Sequence, residues 1–128
     1  MIHLIVGNTG AGKTTYALEL KSKNKGVIYS IDHWNKVLFL KDKAEKDGLE
    51  WFLERINRSE EIIMDLIVQL ENAEVDAILD LGFSKIEHRE KFRRFAKAYG
   101  FTCKIHFLDV PKKKRMERVE QRNAEQGA

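Results

Sequence analysis

The chain has 128 residues, of which 34% are charged, and its net charge at pH 7 is +3. This length suits one domain with a substantial core, and the small basic excess is compatible with an anionic ligand without indicating nucleic acid. No apolar run approaches the roughly 18 to 20 residues of a membrane span, and no signal peptide is expected. The one cysteine, Cys103, cannot form an intramolecular disulfide and is predicted to be a buried structural thiol. We therefore expect a cytoplasmic, reducing location without membrane contact.

The sequence Gly7-Asn8-Thr9-Gly10-Ala11-Gly12-Lys13-Thr14 has the pattern G-x-x-x-x-G-K-[ST] of a phosphate-binding P-loop. Glycines at these positions let backbone N–H groups approach phosphate oxygens, and the following helix directs its positive end at them. Lys13 is expected to contact the β- and γ-phosphates, and the hydroxyl of Thr14 to bind Mg²⁺. The context supports this interpretation, because Met1 to Val6 is typical of a buried parallel strand and Thr14 to Lys23 has a helical pattern. The alternative is a glycine-rich turn that binds no nucleotide.

A second strand and a long helical stretch are predicted next. The first helix is expected to end near Gly26, and Val27 to Ile31 forms the second strand, which ends in Asp32. From Trp34 to Ala73 the periodicity is helical throughout. A short piece carries Val37, Leu38 and Leu40, a second carries Leu49, Phe52, Leu53 and Ile56, and a third begins at Ser59 and carries Ile63, Leu66, Ile67 and Leu70.

The remaining elements continue the alternation of strands and helices. Val75 to Asp80 is the predicted third strand, Phe101 to Leu108 is the fourth, and Pro111 is expected to begin a charged helix through at least Gln121. Between the two strands, a capping box at Ser84-Lys85-Ile86-Glu87 predicts a helix that ends at Gly100 and buries Phe92, Phe95, Ala96 and Tyr99. This α/β order predicts a parallel sheet with helices on both faces and ligands at the carboxyl ends of the strands. Because no repeat or linker interrupts the pattern, we expect a single domain over residues 1–128.

Two acidic residues at the carboxyl ends of the strands are candidates for the chemistry. Asp80 closes the third strand as in a Walker B element and would hold Mg²⁺ beside Thr14, or it caps the turn before Gly82. Asp32 would lie opposite the γ-phosphate, where it could accept the proton of an acceptor hydroxyl and align its oxygen for in-line attack. The alternative role of Asp32 is the N-cap of a helix that starts at His33.

Basic and aromatic residues supply further candidates. Arg115, Arg118 and Arg122 recur at i, i+3 and i+7, so one helix would point three guanidinium groups the same way, either toward a transferring phosphoryl group or into solvent. Arg89 is predicted to bind acceptor or phosphate, or to be a solvated surface residue. Trp34 is either an aromatic wall for the acceptor or a core residue. The four histidines have no metal-ligand spacing and are assigned no role: His3, His33, His88 and His106.

Together these motifs resemble the small P-loop kinases that include chloramphenicol phosphotransferase, the zeta-toxin kinases, gluconate kinase and the kinase half of polynucleotide 5′-kinases. The match runs through the P-loop, Ser30-Ile31-Asp32, Ile78-Leu79-Asp80, Arg89, and Leu108-Asp109-Val110-Pro111 followed by the three arginines. The resemblance implies a three-layer P-loop NTPase fold with a mostly parallel sheet in strand order 2-3-1-4. It also implies that Asp32 is the acceptor-side base and that residues 111–128 form a lid-like helix over ATP.

The chain departs from this family at its end. Family members continue past the lid into a fifth strand and closing helices that contact the adenine, whereas this sequence stops at Gly127-Ala128. We therefore expect either a C-terminally truncated chain or a minimal variant without the fifth strand. The catalytic assignments are Lys13, Asp32, Arg118 and Arg122. The ATP-binding assignments are Gly7, Asn8, Thr9, Gly10, Ala11, Gly12, Lys13, Thr14, Thr15 and Arg115, and the Mg²⁺ ligands are Thr14 and Asp80.

The leading hypothesis is an ATP- and Mg²⁺-dependent kinase that phosphorylates a hydroxyl of a small-molecule or nucleotide-like acceptor. The second is a nucleotide-dependent switch or binding ATPase that orders a surface for a partner. A GTPase is disfavoured because the guanine-reading Asn-Lys-x-Asp string is absent, and the chain is short for an oligomeric ATPase motor. The third is a polynucleotide 5′-hydroxyl kinase, ranked last because the basic run Lys112 to Arg115 is short. The sequence identifies neither the acceptor nor the oligomeric state.

Overall fold

A computed structural model describes residues 1–7 and 12–108 of the chain. In chain order the elements are β1 (Ile2–Gly7), α1 (Lys13–Lys23), β2 (Gly26–Ser30), α2 (Ile31–Leu38), a 3₁₀ turn (Leu40–Asp42), α3 (Leu49–Asn72), β3 (Asp76–Asp80), α4 (Ile86–Tyr99) and β4 (Cys103–Leu108). None of these helices is both long enough and apolar enough to cross a membrane. The predicted helix after Pro111 lies outside the described residues.

The four strands form one parallel sheet in the order β2-β3-β1-β4. Leu4 of β1 is level with Leu79 of β3, and Ser30 at the end of β2 is level with Asp80 at the end of β3. This pairing confirms the α/β class and the strand order 2-3-1-4. The carboxyl ends of β1, β2 and β3 therefore meet at one edge of the sheet.

Alternate residues of the strands pack against helices on opposite faces of the sheet. On one face, Ile2, Leu4 and Val6 lie in a buried cluster with residues of α3 and α4, among them Ile63, Ile67, Phe92 and Ala96. On the other face, Ile5 lies in a smaller cluster with Ala17 of α1. Cys103, predicted to be buried, is half-buried at the start of β4 and packs against the larger cluster.

Three local predictions for the helices are wrong. Ser59 does not begin a helix, because α3 runs unbroken from Leu49 to Asn72 and its buried side continues through this position to Ile63 and Ile67. The capping box is not formed: α4 begins at Ile86 after an N-cap at Lys85, and no described side chain caps that end. Tyr99 is exposed and stacks on Phe101. By contrast, Gly100 does end α4, with a φ of 74° that favours glycine.

A chain of polar side chains crosses the α1 face of the sheet. The Nε2 atom of His3 lies 2.8 Å from Oδ2 of Asp76, its Nδ1 atom lies 3.0 Å from Nε2 of His106, and the Tyr16 hydroxyl lies 2.6 Å from Nδ1 of His106. Because an ionised Asp76 only accepts, every link is satisfied when both rings are neutral with the proton on Nε2 and Tyr16 donates to His106. His3 and His106 are 4% and 2% exposed, so this chain of hydrogen bonds is shielded from solvent.

Candidate functional site

The two ends of the P-loop are held by β1 and α1. Gly7 ends β1, and Gly12 directly precedes α1 with φ 82° and ψ 29°, a left-handed conformation in which a side chain would be strained. Lys13 is the first residue of α1, so the free N–H groups of this helix begin where phosphate is expected. Thr14 and Thr15 are exposed in the same turn. The other predicted phosphate-binding residues lie outside the described part of the chain: Asn8, Thr9, Gly10 and Ala11.

Lys13 faces the carboxylate that ends β3. Its Nζ atom lies 3.8 Å from Oδ1 of Asp80, and both side chains are more than three-quarters buried. Burial raises the pKa of Asp80, Lys13 opposes that rise, and the charge of nearby Asp32 adds to it. The sequence prediction that the P-loop lysine, Asp80 and Asp32 share one edge of the sheet therefore matches the observed geometry. Two carboxylates and one ammonium group therefore lie near one another at this edge of the sheet.

Asp32 is positioned by a helix rather than by a strand. The second strand ends at Ser30, and Asp32 is the second residue of α2, with an exposed side chain. The N-cap of α2 is Ser30, whose hydroxyl accepts from the backbone N–H of His33 at 3.5 Å. The alternative that Asp32 caps a helix starting at His33 is therefore wrong. Within residues 1–7 and 12–108, no hydrogen-bond partner of its carboxylate is found.

Two other predicted residues are engaged in the fold. Arg89 on α4 donates from Nη1 to the carbonyl oxygen of Phe83 at 3.0 Å, and its guanidinium lies 5.4 Å from the ring centroid of Phe107. These contacts tie α4 to the loop after β3. Trp34 packs against the larger core cluster and makes an edge contact with Tyr29 at 6.1 Å between ring centroids. The core interpretation of Trp34 is thus the one that the contacts support.

The three arginines of the predicted lid lie outside the described residues, so Arg115, Arg118 and Arg122 stay predictions from the sequence. The same holds for the lid-like helix over residues 111–128. The expected lack of a fifth strand also concerns this part of the chain and is likewise a prediction.

A cavity of about 410 Å³ opens between α3 and the start of α4. Leu81 and Gly82, which directly follow Asp80, form part of its wall, so the cavity lies beside the end of β3. The side from α3 carries two aliphatic side chains, one amide and one carboxylate, and the side from the α4 region is mainly polar. The lining residues are Leu53, Ile56, Asn57 and Glu60 of α3, Leu81 and Gly82, and Ser84, Lys85, Glu87, His88 and Lys91.

Glu60 is the most deeply buried charged group of this cavity, with 1% of its surface exposed. Its Oε2 atom accepts from Nε2 of His88 at 2.5 Å, and its Oε1 atom accepts from Nζ of Lys91 at 2.8 Å. Burial alone would raise the pKa of Glu60, but the hydrogen bonds from His88 and Lys91 outweigh burial and hold that pKa below its ordinary value. Glu60 is therefore ionised and paired with two residues of α4.

The sequence analysis missed Glu60, His88 and Lys91. One signal was available: Glu60 stands four residues after Ile56 and three before Ile63, inside the apolar side of α3. A charged residue at such a position is buried only when it has a partner. If Ser59 begins a helix, Glu60 is expected in an exposed first turn and needs no partner. The burial of Glu60 is therefore not predicted by that interpretation.

Comparisons with known proteins identify the family and the fold of the chain. A family model described as an AAA domain matches residues 2–128. The structure is similar to that of a mutant of the APS kinase CysC from Mycobacterium tuberculosis, with a TM-score of 0.61 and 18% identity over 87% of this chain and 79% of that chain. It is also similar to the crystal structure of APE1195, with a TM-score of 0.64 and 18% identity over 91% of this chain and 64% of that chain.

The chain thus spans just under two thirds of the length of APE1195. No curated protein matches the sequence. At 18% identity the two solved structures bear on the fold alone, and that fold is the P-loop kinase fold. With the family model matching nearly the whole sequence, the chain belongs to this P-loop kinase-like AAA domain family.

Proposed function

We propose that the protein is an ATP- and Mg²⁺-dependent kinase that phosphorylates a hydroxyl group of a small-molecule acceptor. The observation that carries this proposal is the meeting of Lys13, Asp80 and Asp32 at the carboxyl edge of the sheet. A cytoplasmic location, where ATP is available, stays a prediction from the sequence.

Lys13 and the N–H groups at the start of α1 would hold the β- and γ-phosphates. The hydroxyl of Thr14 and the carboxylate of Asp80 would hold Mg²⁺, which when bound neutralises phosphate charge. The residues fit this ion, because Asp80 offers a hard oxygen ligand and Asp32 adds negative charge close by. Arg115, Arg118 and Arg122 would add positive charge over the transferring phosphoryl group.

Asp32 would act on the acceptor. Its exposed carboxylate can accept a hydrogen bond from the acceptor hydroxyl, orient the oxygen for in-line attack and take up the proton as the new bond forms. Ser30 is paired with Asp80 at the ends of neighbouring strands, and Asp32 follows Ser30 by two positions. The start of α2 therefore holds this side chain at the same edge of the sheet. Catalysis would therefore combine positioning by Asp32 with charge neutralisation by Lys13 and the arginines.

The substitution Asp32→Asn tests this role, with Asp42→Asn in the exposed 3₁₀ turn as the matched control. A thermal-shift screen with Mg·ATP and hydroxyl-bearing metabolites would first identify an acceptor. We expect Asp32→Asn to lower phosphoryl transfer by roughly a hundredfold or more while leaving the Kd for ATP within about twofold. Asp42→Asn should change neither quantity.

Full transfer activity in Asp32→Asn would refute the assignment. A protein that hydrolyses ATP slowly, transfers phosphate to no hydroxyl compound and binds a partner only with nucleotide would instead be a switch. Phosphorylation of 5′-hydroxyl oligonucleotides, with binding that weakens steeply as salt rises, would identify a polynucleotide kinase.

A further inference from the structure

The cavity between α3 and α4 combines an aliphatic wall with a buried set of charges that is already paired. Leu53 and Ile56 project from α3, and Leu81 is the first residue after Asp80. Its volume of about 410 Å³ falls in the range of sites for small molecules. An occupant would therefore place an apolar face against these side chains while lying beside the end of β3.

Among the residues that the structure describes, the one buried charge of the cavity, Glu60, already has its counter-charge. Both carboxylate oxygens of Glu60 accept hydrogen bonds, one from His88 and one from Lys91. Lys85 and Glu87 carry opposite charges and are exposed to solvent. Because moving an unpaired charge out of water into such surroundings is costly, a charged ligand would be bound less well than a neutral one. The lone pairs that remain on Glu60 can still accept a hydroxyl group.

From these contacts we infer that the cavity receives the acceptor, and that the acceptor is an uncharged hydroxyl compound with an apolar face. The assignment as acceptor rests on the proposed function, since Leu81 and Gly82 lie next to the proposed Mg²⁺ ligand Asp80. The preference for a neutral ligand depends only on the cavity itself. Glu60 acts as a specificity-determining residue, because its ion pairs cancel the charge that would otherwise attract an anion or a cation.

Three probes that differ in one group test the preference: 1,4-benzenedimethanol is neutral, 4-(hydroxymethyl)benzoate is an anion and 4-(aminomethyl)benzyl alcohol is a cation. Their Kd values for the full chain would be measured by ligand-observed NMR at pH 7.5 without nucleotide. We expect the neutral probe to bind roughly tenfold more tightly than either charged probe. Equal affinities, or tightest binding of a charged probe, would overturn the inference.

Leu53→Trp tests the location, with Ile62→Trp on the same helix as the control. The two side chains are 47% and 53% exposed, so both positions have room for a larger residue, but only Leu53 lines the cavity. Leu53→Trp should weaken binding of 1,4-benzenedimethanol roughly tenfold, and Ile62→Trp should leave it unchanged. Unaltered binding in Leu53→Trp would show that the probe binds elsewhere.

Two charge-changing variants test the role of Glu60. Glu60→Gln leaves Lys91 and His88 without their counter-charge, so the anionic probe should become the tightest of the three. Lys91→Met removes one cation beside Glu60 and should shift the order toward the cationic probe, whereas Lys97→Met, exposed on the same helix, should not. Lys91 is 37% exposed, so this variant is expected to fold. A merely structural role would lower the melting temperature of these variants without reordering the probes.

The two proposals can fail separately. If the probes bind as expected but no hydroxyl compound accepts phosphate from ATP, the kinase proposal fails while the charge preference of the cavity stands. If an acceptor is phosphorylated and Leu53→Trp leaves its KM unchanged, the kinase proposal stands and the cavity is not the acceptor site.

Discussion

Lowering the pH should destabilise the protein through His106, a buried residue of the polar chain across the sheet. Burial, together with the neighbouring His3 and Lys104 side chains, lowers the pKa of His106 from 6.5 to about 4. Above pH 6.5 the ring is neutral in both the folded and the unfolded chain. Between pH 6.5 and about 4 the unfolded chain takes up a proton that the folded chain does not, so the free energy of unfolding falls as the pH falls.

The expected loss is ~3 kcal/mol, the free energy that corresponds to this pKa difference. Such a loss is a large part of the 5 to 15 kcal/mol that stabilises a typical domain, roughly a fifth to three fifths. Two carboxylates also have lowered pKa values, Asp76 and Glu60. The ionised carboxylates of Asp76 and Glu60 stabilise the folded chain above their ordinary pKa values of 3.8 and 4.5. This contribution to the free energy of unfolding is lost as the pH falls through their lower pKa values in the folded chain. Asp80, whose pKa is raised, acts in the opposite direction as the pH falls, so the contribution of His106 is read from the difference between chains with and without this ring.

Urea unfolding followed by circular dichroism between about pH 7.5 and 4.5 would measure this dependence. The comparison is between the unmodified chain, His106→Gln, and His33→Gln as an exposed control on α2. The unmodified chain and His33→Gln should lose roughly 2.5 kcal/mol more than His106→Gln across this interval, which stops short of the folded-state pKa of about 4. The readout is the slope of the free energy of unfolding against pH. This slope is unaffected by any loss of stability that the substitution causes equally at every pH. Equal slopes for the unmodified chain and His106→Gln would refute the reasoning.

Three further substitutions address stability at pH 7.5, each measured by urea unfolding. Tyr16→Phe removes the donor to Nδ1 of His106 and should cost about 1 to 3 kcal/mol, so no change would contradict the hydrogen-bond chain. Phe92→Ala empties a fully buried position between α4 and the sheet and should cost about 3 to 5 kcal/mol, and a loss near zero would contradict its place in the core. Gly100→Ala should cost about 1 kcal/mol because φ is +74°, whereas Gly100→Asn should cost less because asparagine tolerates the left-handed conformation; equal effects would exclude backbone strain as the cause.

Much of the fold could be predicted because its signals are local. The apolar runs of β1 and β3 and the glycine pattern between β1 and α1 lie within a few residues of one another, and their order along the chain predicted a parallel sheet. Helix limits were less accurate. Ser59 lies in the middle of α3 because the packing of Ile63 and Ile67 on the sheet carries the helix through it. Asp32 lies on α2 because Ser30, two residues earlier, caps that helix.

The contacts around the candidate site were less accessible from the sequence. Glu60 is separated from His88 by 28 positions and from Lys91 by 31, and His3 is separated from His106 by 103. Whether such residues meet depends on the rotation of two helices about their axes and on the register of two strands. Neither helix rotation nor strand register is encoded by a pattern of neighbouring residues in the sequence.

The sequence by itself predicted a phosphate-binding loop after the first strand and showed that two aspartates follow neighbouring strands, because residue type and spacing carry these features. It also supplied the strand order, through the resemblance of its motifs to P-loop kinases. Only the tertiary structure decided that Lys13 faces Asp80, that the histidines form a buried chain, and that Glu60 is neutralised inside a cavity beside the end of β3. The physical reason is that a buried charge or hydrogen bond needs a partner, and that partner is chosen by packing in space rather than by distance along the chain.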